Sequence, residues 1–264
     1  MTGTKGFAVI TGASSGIGAV YADRLARQGY DLILVARRAD NLARIADTIT
    51  SATGRTVETV TADLNARADL ARVEALLRDD ARVTMLVNNA GVAATTPLVE
   101  SDVDEMSAMV ALNIDALMRL TYAAVPGFVA RGRGTVVNIG SIVAIGPERL
   151  NGVYGGSKAF VLAFSQSLRH ELAGTGVNVQ VVMPGATATA LWANAGRPVE
   201  LLPQEIVMSA EDMVDASLVG LDQGEFATIP ALPDVEQWNA YEGARQAMAD
   251  NLSRSVPADR YRLN

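Results

Sequence analysis

Short apolar runs alternate along the chain with longer segments in which apolar residues recur every three or four positions. The runs are rich in valine and isoleucine and contain few polar residues, which is typical of parallel strands covered on both faces. They predict strands at Phe7–Ile10, Leu32–Ala36, Val57–Val60, Val83–Val87, Thr135–Ile139, Val177–Val182 and Phe226–Ile229.

The longer segments have the period of amphipathic helices. They lie at Ala19–Gln28, Asp40–Ala52, Ala66–Asp79, Val103–Ala130, Ser157–Ala173 and Val235–Asn251. Glycines stand just past four of these segments, as expected at helix C-termini, at Gly29, Gly54, Gly132 and Gly174. This alternation predicts an α/β fold, a doubly wound, Rossmann-like parallel sheet of about seven strands with helices on both faces.

No internal repeat, block of like charge or low-complexity linker divides the sequence, so we predict a single domain over residues 1–264. Its least regular part is Ala186–Met208, which contains Pro198 and Pro203 and has neither helical nor strand periodicity. We expect this segment to be a loop that acts as a substrate lid.

Composition excludes several kinds of chemistry. The 264 residues include no cysteine, which excludes disulfides, thiol catalysis and cysteine-bound zinc. The one histidine, His170, has charged neighbours in a helical segment and is interpreted as a solvated residue, so we expect no metal site. Lys and Arg number 22 against 29 Asp and Glu, and the net charge of −7 argues against nucleic acid as a partner.

No segment has the pattern of a leader or a membrane span. The first apolar run, Phe7–Ile10, is too short for the core of a signal peptide, and nowhere do about 18 apolar residues follow one another. We therefore expect a cytoplasmic protein without a membrane partner.

A glycine-rich turn, TGASSGIG at residues 11–18, separates the first predicted strand from the first helix. Such a turn lets the backbone approach a pyrophosphate, and the helix N-terminus offers free N–H groups to the phosphates. The spacing G-x-x-x-G-x-G differs from the usual G-x-G-x-x-G fingerprint, so a purely structural turn stays an alternative. The predicted nucleotide contacts here are Gly12, Ser14, Ser15, Gly16, Ile17 and Gly18.

The end of the second predicted strand indicates which nucleotide is bound. Folds that select NAD place a carboxylate there, whereas this chain continues with Arg37 and Arg38. A guanidinium binds a 2′-phosphate through paired, charge-assisted hydrogen bonds. We predict NADP(H) as the cofactor, with Arg37 as the main contact and Arg38 or Ser15 as helpers. Two ordinary solvated arginines at a helix start are the alternative.

Further motifs follow the predicted strands in order. Asn88-Asn89-Ala90-Gly91 comes after the fourth strand, Asn113 lies in a helical segment, and Ser141 follows the fifth strand. Tyr154 and Lys158 then form Y-x-x-x-K, and Pro184-Gly185 follows the sixth strand. With the glycine turn, these elements make the chain from Thr11 to about Thr189 resemble the short-chain dehydrogenase/reductase family, in its single-domain, NADP-preferring form.

The Tyr154–Lys158 pair also has a chemical rationale. Moving hydride to or from a carbinol carbon requires an acid or base for the hydroxyl proton, and free tyrosine, with a pKa of about 10, is a poor base near neutrality. Residues four apart share a helix face, so the Lys158 ammonium is expected to lie beside the phenol and lower its pKa. Lysine is kept here although the chain otherwise uses arginine almost throughout, with Lys5 the one other lysine.

The resemblance implies an oxidoreductase that interconverts a carbonyl compound and a secondary alcohol, with Tyr154 as general acid and base. It implies that Ser141 bonds the substrate oxygen, that Lys158 holds the nicotinamide ribose and tunes Tyr154, and that Asn113 positions a water. The implied nucleotide contacts are Asp63 and Leu64 at the adenine, Asn89, Ala90 and Gly91 beside the glycine turn, Tyr154 and Lys158, Pro184 and Gly185, and Thr187 and Thr189 at the nicotinamide.

The substrate pocket is predicted from apolar residues near the catalytic pair and in the lid segment, namely Val143, Leu191 and Trp192. They favour an apolar small molecule, because burying a charge without a partner is unfavourable. Arg149 and Arg197 leave an anionic substrate open as an alternative.

Two other functions stay open. A sugar-nucleotide epimerase or dehydratase would use the same tyrosine and lysine, but that type has an additional substrate domain. A redox sensor or scaffold that binds dinucleotide without turnover is the non-catalytic alternative. The resemblance also implies a homotetramer or homodimer, for which Val103–Ala130 and Ser157–Ala173 are apolar enough to supply surfaces.

Overall fold

Seven parallel strands form one sheet in the computed structural model, which describes residues 4–261. They are β1 (Phe7–Thr11), β2 (Asp31–Ala36), β3 (Val57–Thr61), β4 (Val83–Asn88), β5 (Gly134–Ile139), β6 (Val177–Val182) and β7 (Ala227–Thr228). Each overlaps a predicted strand, and the predicted doubly wound parallel sheet is confirmed. Residues 1–3 and 262–264 of the predicted domain lie outside the described residues.

The strands lie in the order β3-β2-β1-β4-β5-β6-β7, so the direction of winding reverses between β1 and β4. Both neighbours of β1 run parallel to it, with Ala8 opposite Leu32 of β2 and Met85 of β4. At such a switch point the loops after the two central strands diverge and open a crevice at the carboxyl edge of the sheet.

Successive side chains of the strands point into two separate apolar layers. Ala8 and Ile10 of β1 pack in a first layer with Leu34 of β2. Val9 and Ile33 point the other way, into a second layer. All five residues of β1 are buried, so the central sheet is covered on both faces, as its unbroken apolar runs predict.

The helices are α1 (Gly16–Arg27), α2 (Ala39–Thr53), α3 (Arg67–Asp79), α4 (Val103–Val110), α5 (Leu117–Ala130), α6 (Gly152–Glu171), α7 (Leu191–Asn194), α8 (Ala210–Asp222) and α9 (Val235–Ala247). All six predicted segments are helical, with shifts at their ends, but no predicted segment corresponds to α7 or α8. A π-helical segment, Ala111–Ala116, joins α4 to α5. The first layer is covered by α1, α2 and α8, and the second by α3, α5 and α6. The four glycines predicted to follow helices all have positive φ angles, from +63° to +101°.

The helix predicted from Ser157 begins earlier, at Gly152. The side-chain oxygen of Asn151 caps it by accepting hydrogen bonds from the backbone N–H groups of Val153, at 2.8 Å, and Tyr154, at 3.4 Å. Periodicity misses this start because the first turns are rich in glycine, which has low helix propensity. As a result Tyr154 lies in the first turn of α6.

The edge strand β3 differs from the expected strands, which are covered on both faces. Thr59 and Thr61 are exposed, and the half-buried Glu58 forms an ion pair with Arg82 at 3.0 Å. Hydroxyl and charged groups suit an edge strand because they discourage pairing with other chains. The other edge strand, β7, is shorter than predicted, since only its two residues pair with β6.

The predicted lid segment Ala186–Met208 has little regular structure, as expected. It contains the short helix α7 and two 3₁₀ turns, Val199–Leu201 and Gln204–Ile206. Its ends meet in a parallel bridge between Thr187 and Met208, so the segment leaves and rejoins the fold at one place.

The described residues form two compact units. The first ends at Pro230 and contains the whole sheet, and the second begins at Ala231 and contains α9. Within the second unit the Trp238 and Tyr241 rings are in contact, with centroids 5.4 Å apart. The single domain over residues 1–264 stays a prediction.

One helical stretch of the described residues, Val103–Ala130, is long and apolar enough to cross a membrane, with a mean hydropathy of 1.3 in its most apolar window. The core helix of a globular protein passes the same test, and 44% of this window is buried. Leu120, Ala124 and Phe128 pack into the second apolar layer, so this stretch covers the sheet.

Candidate active site

A cavity of about 790 Å³ opens at the carboxyl edge of the sheet, where the winding reverses. The glycine turn and the end of β2 border one end of it, and the lid segment borders the other. Every predicted site residue lines this cavity except Gly18 and Asn113, which lie behind its wall.

The glycine turn cannot accommodate side chains at two of its positions. Gly12 has a φ of +67°, and a Cβ atom there would lie 2.9 Å from the Cα of Ala90. A Cβ atom on Gly18 would lie 2.5 Å from the carbonyl oxygen of Gly12. Gly18 therefore serves the packing of α1 against the turn.

Hydrogen bonds join the end of β4 to the end of β1 beneath this turn. The Asn89 amide donates to the carbonyl oxygens of Thr11, at 2.8 Å, and Gly12, at 3.3 Å. The Thr11 hydroxyl in turn accepts from the backbone N–H groups of Asn89 and Ala90, both at 3.0 Å. These bonds fix the two strand ends that border the crevice.

The two arginines after β2 have different surroundings. The Arg38 guanidinium donates to the hydroxyls of Ser15, at 2.9 Å, and Ser14, at 3.3 Å. Arg37 is exposed at the cavity, and its side chain has no hydrogen bond or ion pair within residues 4–261. Arg38 therefore tethers the glycine turn, whereas the Arg37 guanidinium is free to bind a ligand.

The N-terminus of α1 lies at the same end of the cavity. Its first turn contains no acidic residue, and the Ser15 side chain does not cap it. The N–H groups of the first turn and the helix dipole therefore favour an anion there. Asp63 also lines this end, and one of its carboxylate oxygens accepts from the backbone N–H of Asn65 at 3.0 Å.

Tyr154 and Lys158 lie one helical turn apart on α6, and both are buried, with 6% and 8% of their surface exposed. The Nζ atom of Lys158 is 5.9 Å from the centroid of the Tyr154 ring and donates to the carbonyl oxygen of Ile139, at 2.8 Å. Ile139 ends β5, and Ser141 follows it at the cavity wall, within hydrogen-bonding reach of the phenol. The strand end and the first turns of α6 thus bring the three predicted catalytic groups together.

Burial changes the acidity of both partners. It raises the pKa of the Tyr154 phenol, and the hydrogen bond with Ser141 opposes this only in part. It lowers the pKa of Lys158 to about 8. The structure thus differs from the expected lowering of the Tyr154 pKa, because desolvation of the phenol is the largest influence on it.

Asn113 is buried in the π-helical segment. Its side-chain amide accepts from the backbone N–H of Val92, at 3.0 Å, and donates to the Val92 carbonyl, at 2.9 Å, and to the Ser157 hydroxyl, at 3.1 Å. Ser157 donates in turn to the carbonyl oxygen of Tyr154, at 2.8 Å. Ser157 was not predicted as a site residue, and its one signal in the sequence is its place directly before Lys158.

Asn151 is a second residue that the sequence analysis missed. Besides capping α6, its side-chain amide donates to the carbonyl oxygen of Thr96, at 2.6 Å, and to the Ser101 hydroxyl, at 3.1 Å. It therefore fixes the first turn of α6, with Tyr154, to the chain that follows β4. An asparagine directly before a helix is a known start signal that periodicity alone does not register.

The lid end of the cavity is mostly apolar. Val143 is buried, Leu191 and Trp192 are half-buried, and the Trp192 indole N–H donates to the carbonyl oxygen of Thr187 at 3.1 Å. Further lining residues were not predicted because they lie in segments without periodicity, among them Leu150, Asn194, Leu202, Pro203 and Ile206.

Within residues 4–261 no three His, Cys, Asp or Glu side chains come together as a metal site would require.

The sequence matches a model of the short chain dehydrogenase family over residues 6–199. The match covers well over half of the chain, and the protein belongs to this family.

Solved structures and a curated sequence agree with that assignment. A short-chain dehydrogenase from Sphingobium yanoikuyae in complex with NADPH is 46% identical, with a TM-score of 0.95 over 97% of this chain and 100% of that one. The bulky-bulky ketone specific alcohol dehydrogenase from Comamonas testosteroni is 40% identical, with a TM-score of 0.89 over 97% and 98%. The very-long-chain 3-oxoacyl-CoA reductase of Coccidioides immitis is 35% identical over 195 residues, 72% of this chain. The chain spans 56% of the length of that reductase.

We expect Lys158 to titrate near pH 8, because burial disfavours its charged form. The ammonium then predominates below that pH and the neutral amine above it. The chain contains two lysines, so ¹³C-lysine labelling gives two Cε signals, which Lys158→Met and Lys5→Arg assign. The Cε chemical shift of Lys158 is followed by NMR from about pH 6 to about pH 11, on protein without NADPH, and its midpoint checks the pKa. A Lys158 signal that stays that of an ammonium up to about pH 10 would contradict it.

Proposed function

We propose that the protein is an NADP(H)-dependent oxidoreductase that interconverts a carbonyl compound and a secondary alcohol, with Tyr154 as general acid and base. The observation that carries this proposal is that buried Tyr154 and Lys158 line the same cavity as a glycine turn that leads into an uncapped helix N-terminus. The NADPH complex from Sphingobium yanoikuyae and the ketone-specific enzyme from Comamonas testosteroni support it, because both share this fold over nearly the whole chain.

The residues at the glycine end fit a dinucleotide with a 2′-phosphate. Side chains at Gly12 or Gly16 would occupy the turn, and both residues have positive φ angles that favour glycine. The first turn of α1 offers N–H groups to the pyrophosphate. Arg37, free at the end of β2, would bind the 2′-phosphate, and Asp63 would face the adenine.

When bound, NADPH supplies a hydride to the carbonyl carbon, and NADP⁺ removes one from the carbinol carbon. In reduction the Tyr154 hydroxyl gives its proton to the carbonyl oxygen, and in oxidation the phenolate takes the hydroxyl proton. The Ser141 hydroxyl, at the same wall, would donate to the same oxygen and orient it. Two donors on one oxygen stabilise the negative charge that develops there.

Lys158 would support the proton transfer by its charge. One N–H of its ammonium is used by Ile139, which leaves two donors for the nicotinamide ribose hydroxyls. A positive charge near the phenol favours the phenolate that forms when Tyr154 gives up its proton. Asn113 and Ser157 would act by positioning, since their hydrogen bonds end on the backbone carbonyl of Tyr154. A water held by Asn113 stays a prediction from the resemblance.

The substrate would be a small molecule with an apolar body. Val143, Leu191 and Trp192 line its end of the cavity, and the similar enzyme from Comamonas testosteroni is specific for ketones with two bulky substituents.

We also propose a homo-oligomer built on α5 and α6. It is supported by Tyr122, which is 69% exposed while its ring stacks on Phe164, with centroids 6.4 Å apart.

Substitution of Tyr154 by Phe is expected to lower kcat/KM for ketone reduction by about 10²- to 10⁴-fold, because it removes the proton donor and little volume. NADPH binding, measured by nicotinamide fluorescence, should change less than about threefold, which is under 1 kcal/mol. Tyr241→Phe, which removes a hydroxyl from the partly exposed ring on α9, is the matched control. Unchanged turnover in Tyr154→Phe would refute the assignment of Tyr154. Tight NADPH binding without turnover of any ketone by the wild type would favour the non-catalytic alternative.

Substitution of Arg37 by Ala is expected to raise the KM for NADPH by about 10- to 100-fold, because it removes a charge-assisted hydrogen bond to the 2′-phosphate. The KM for NADH should stay the same, because NADH has no 2′-phosphate. Arg44→Ala is the control, at an exposed arginine of α2 whose side chain has no hydrogen bond or ion pair with any residue from 4 to 261. A wild type that prefers NADH, or an Arg37→Ala variant that binds both nucleotides as before, would rule out this selection.

A further inference from the structure

The charge of the cavity is opposite to the charge of the chain. The whole chain has a net charge of −7, yet the charged residues that line the cavity are five cations and one carboxylate, namely Arg37, Arg38, Arg149, Lys158, Arg197 and Asp63. The cavity is therefore an electropositive cleft in an acidic protein, and such a cleft draws in and retains anions.

Four of these six residues belong to functions already described. Arg37, Arg38 and Asp63 border the nucleotide end, and Lys158 lies beside the reacting phenol. Arg149 and Arg197 remain, and both lie at the substrate end. Arg149 ends Pro147–Arg149, the second of two 3₁₀ turns between β5 and α6, and Arg197 follows α7 in the lid segment.

Neither guanidinium at the substrate end is neutralised. Both residues are exposed, and among the described residues neither side chain has a hydrogen bond or an ion pair. The remaining lining at this end is mostly apolar, such as Leu150 and Leu202, and includes no carboxylate.

We propose that the substrate carries a carboxylate, separated by an apolar body from the carbonyl group, and that Arg149 and Arg197 bind this carboxylate. The inference rests on the proposed function, since it names the substrate class of the same site. Guanidinium groups match a carboxylate through paired hydrogen bonds, and the apolar residues that line the same cavity, Val143, Leu191 and Trp192, suit the rest of the molecule. The alcohol formed by reduction keeps the carboxylate, so Arg149 and Arg197 would bind the product in the same way.

Paired ketones that differ only in this charge test the inference. The pairs are para-acetylbenzoate, levulinate and a medium-chain oxo fatty acid, each with its methyl ester, and kcat/KM is measured with NADPH. For at least one pair we expect the acid to be preferred by about 10-fold or more. In the double variant Arg149→Gln, Arg197→Gln this preference should disappear, while kcat/KM for the ester changes less than about threefold.

Matched variants separate charge from other effects. Arg149→Lys, Arg197→Lys keeps both charges and should retain part of the preference, because lysine lacks the planar fork. Arg78→Gln removes an exposed arginine of α3 that does not line the cavity, and it should have no effect. Esters preferred over acids in every pair, or a double variant that lowers acid and ester equally, would overturn the inference.

A binding measurement distinguishes failure of this inference from failure of the proposed function. Calorimetry measures para-isopropylbenzoate, which has no carbonyl to reduce, binding to the NADP⁺-loaded wild type and to the double variant. If no ketone is turned over but the arginines still determine benzoate binding, the proposed function is wrong and the anion site stands. If the double variant weakens NADP⁺ binding and leaves benzoate binding unchanged, the arginines serve the nucleotide and the inference is wrong.

Discussion

The site depends on one buried cation. Lys158 is held by the carbonyl oxygen of Ile139 at the end of β5, and burial lowers the pKa of Lys158 to about 8. Its side chain is thus charged at neutral pH but close to the point where it gives up a proton. An arginine would stay charged under all conditions and would need more room. This explains why lysine occurs at this buried position in a chain that otherwise uses arginine.

The surrounding fold keeps that cation and Tyr154 in place from three sides. Asn151 caps α6 and bonds to the chain after β4, so the first turn of the helix is tied to that segment. The π-helical segment presents Asn113 to Ser157, which bonds the carbonyl of Tyr154. The reversal of winding between β1 and β4 then places this wall opposite the glycine turn. One cavity can therefore hold a nucleotide at one end and a substrate at the other.

Local pattern was enough to predict the strands and all helices except α7 and α8, and the family resemblance supplied most of the predicted cavity lining. Buried parallel strands are unbroken apolar runs, and the glycine turn is dictated by contacts such as that of Gly12 with Ala90. Other features depend on contacts between distant segments. The bonds of Arg38 to Ser14 and Ser15 join two loops, and the desolvation that raises the Tyr154 pKa depends on packing that no spacing encodes.

In the proposed reaction a nicotinamide carbon and the Tyr154 phenol exchange hydride and proton with one substrate. Reduction of a bulky ketone with NADPH deuterated at the transferable nicotinamide position, followed by mass spectrometry and NMR of the alcohol, tests it most directly. The account predicts one deuterium on the carbinol carbon for each NADPH consumed, and a solvent hydrogen on the oxygen. Alcohol without deuterium at that carbon, or NADPH that binds and is never oxidised, would contradict it.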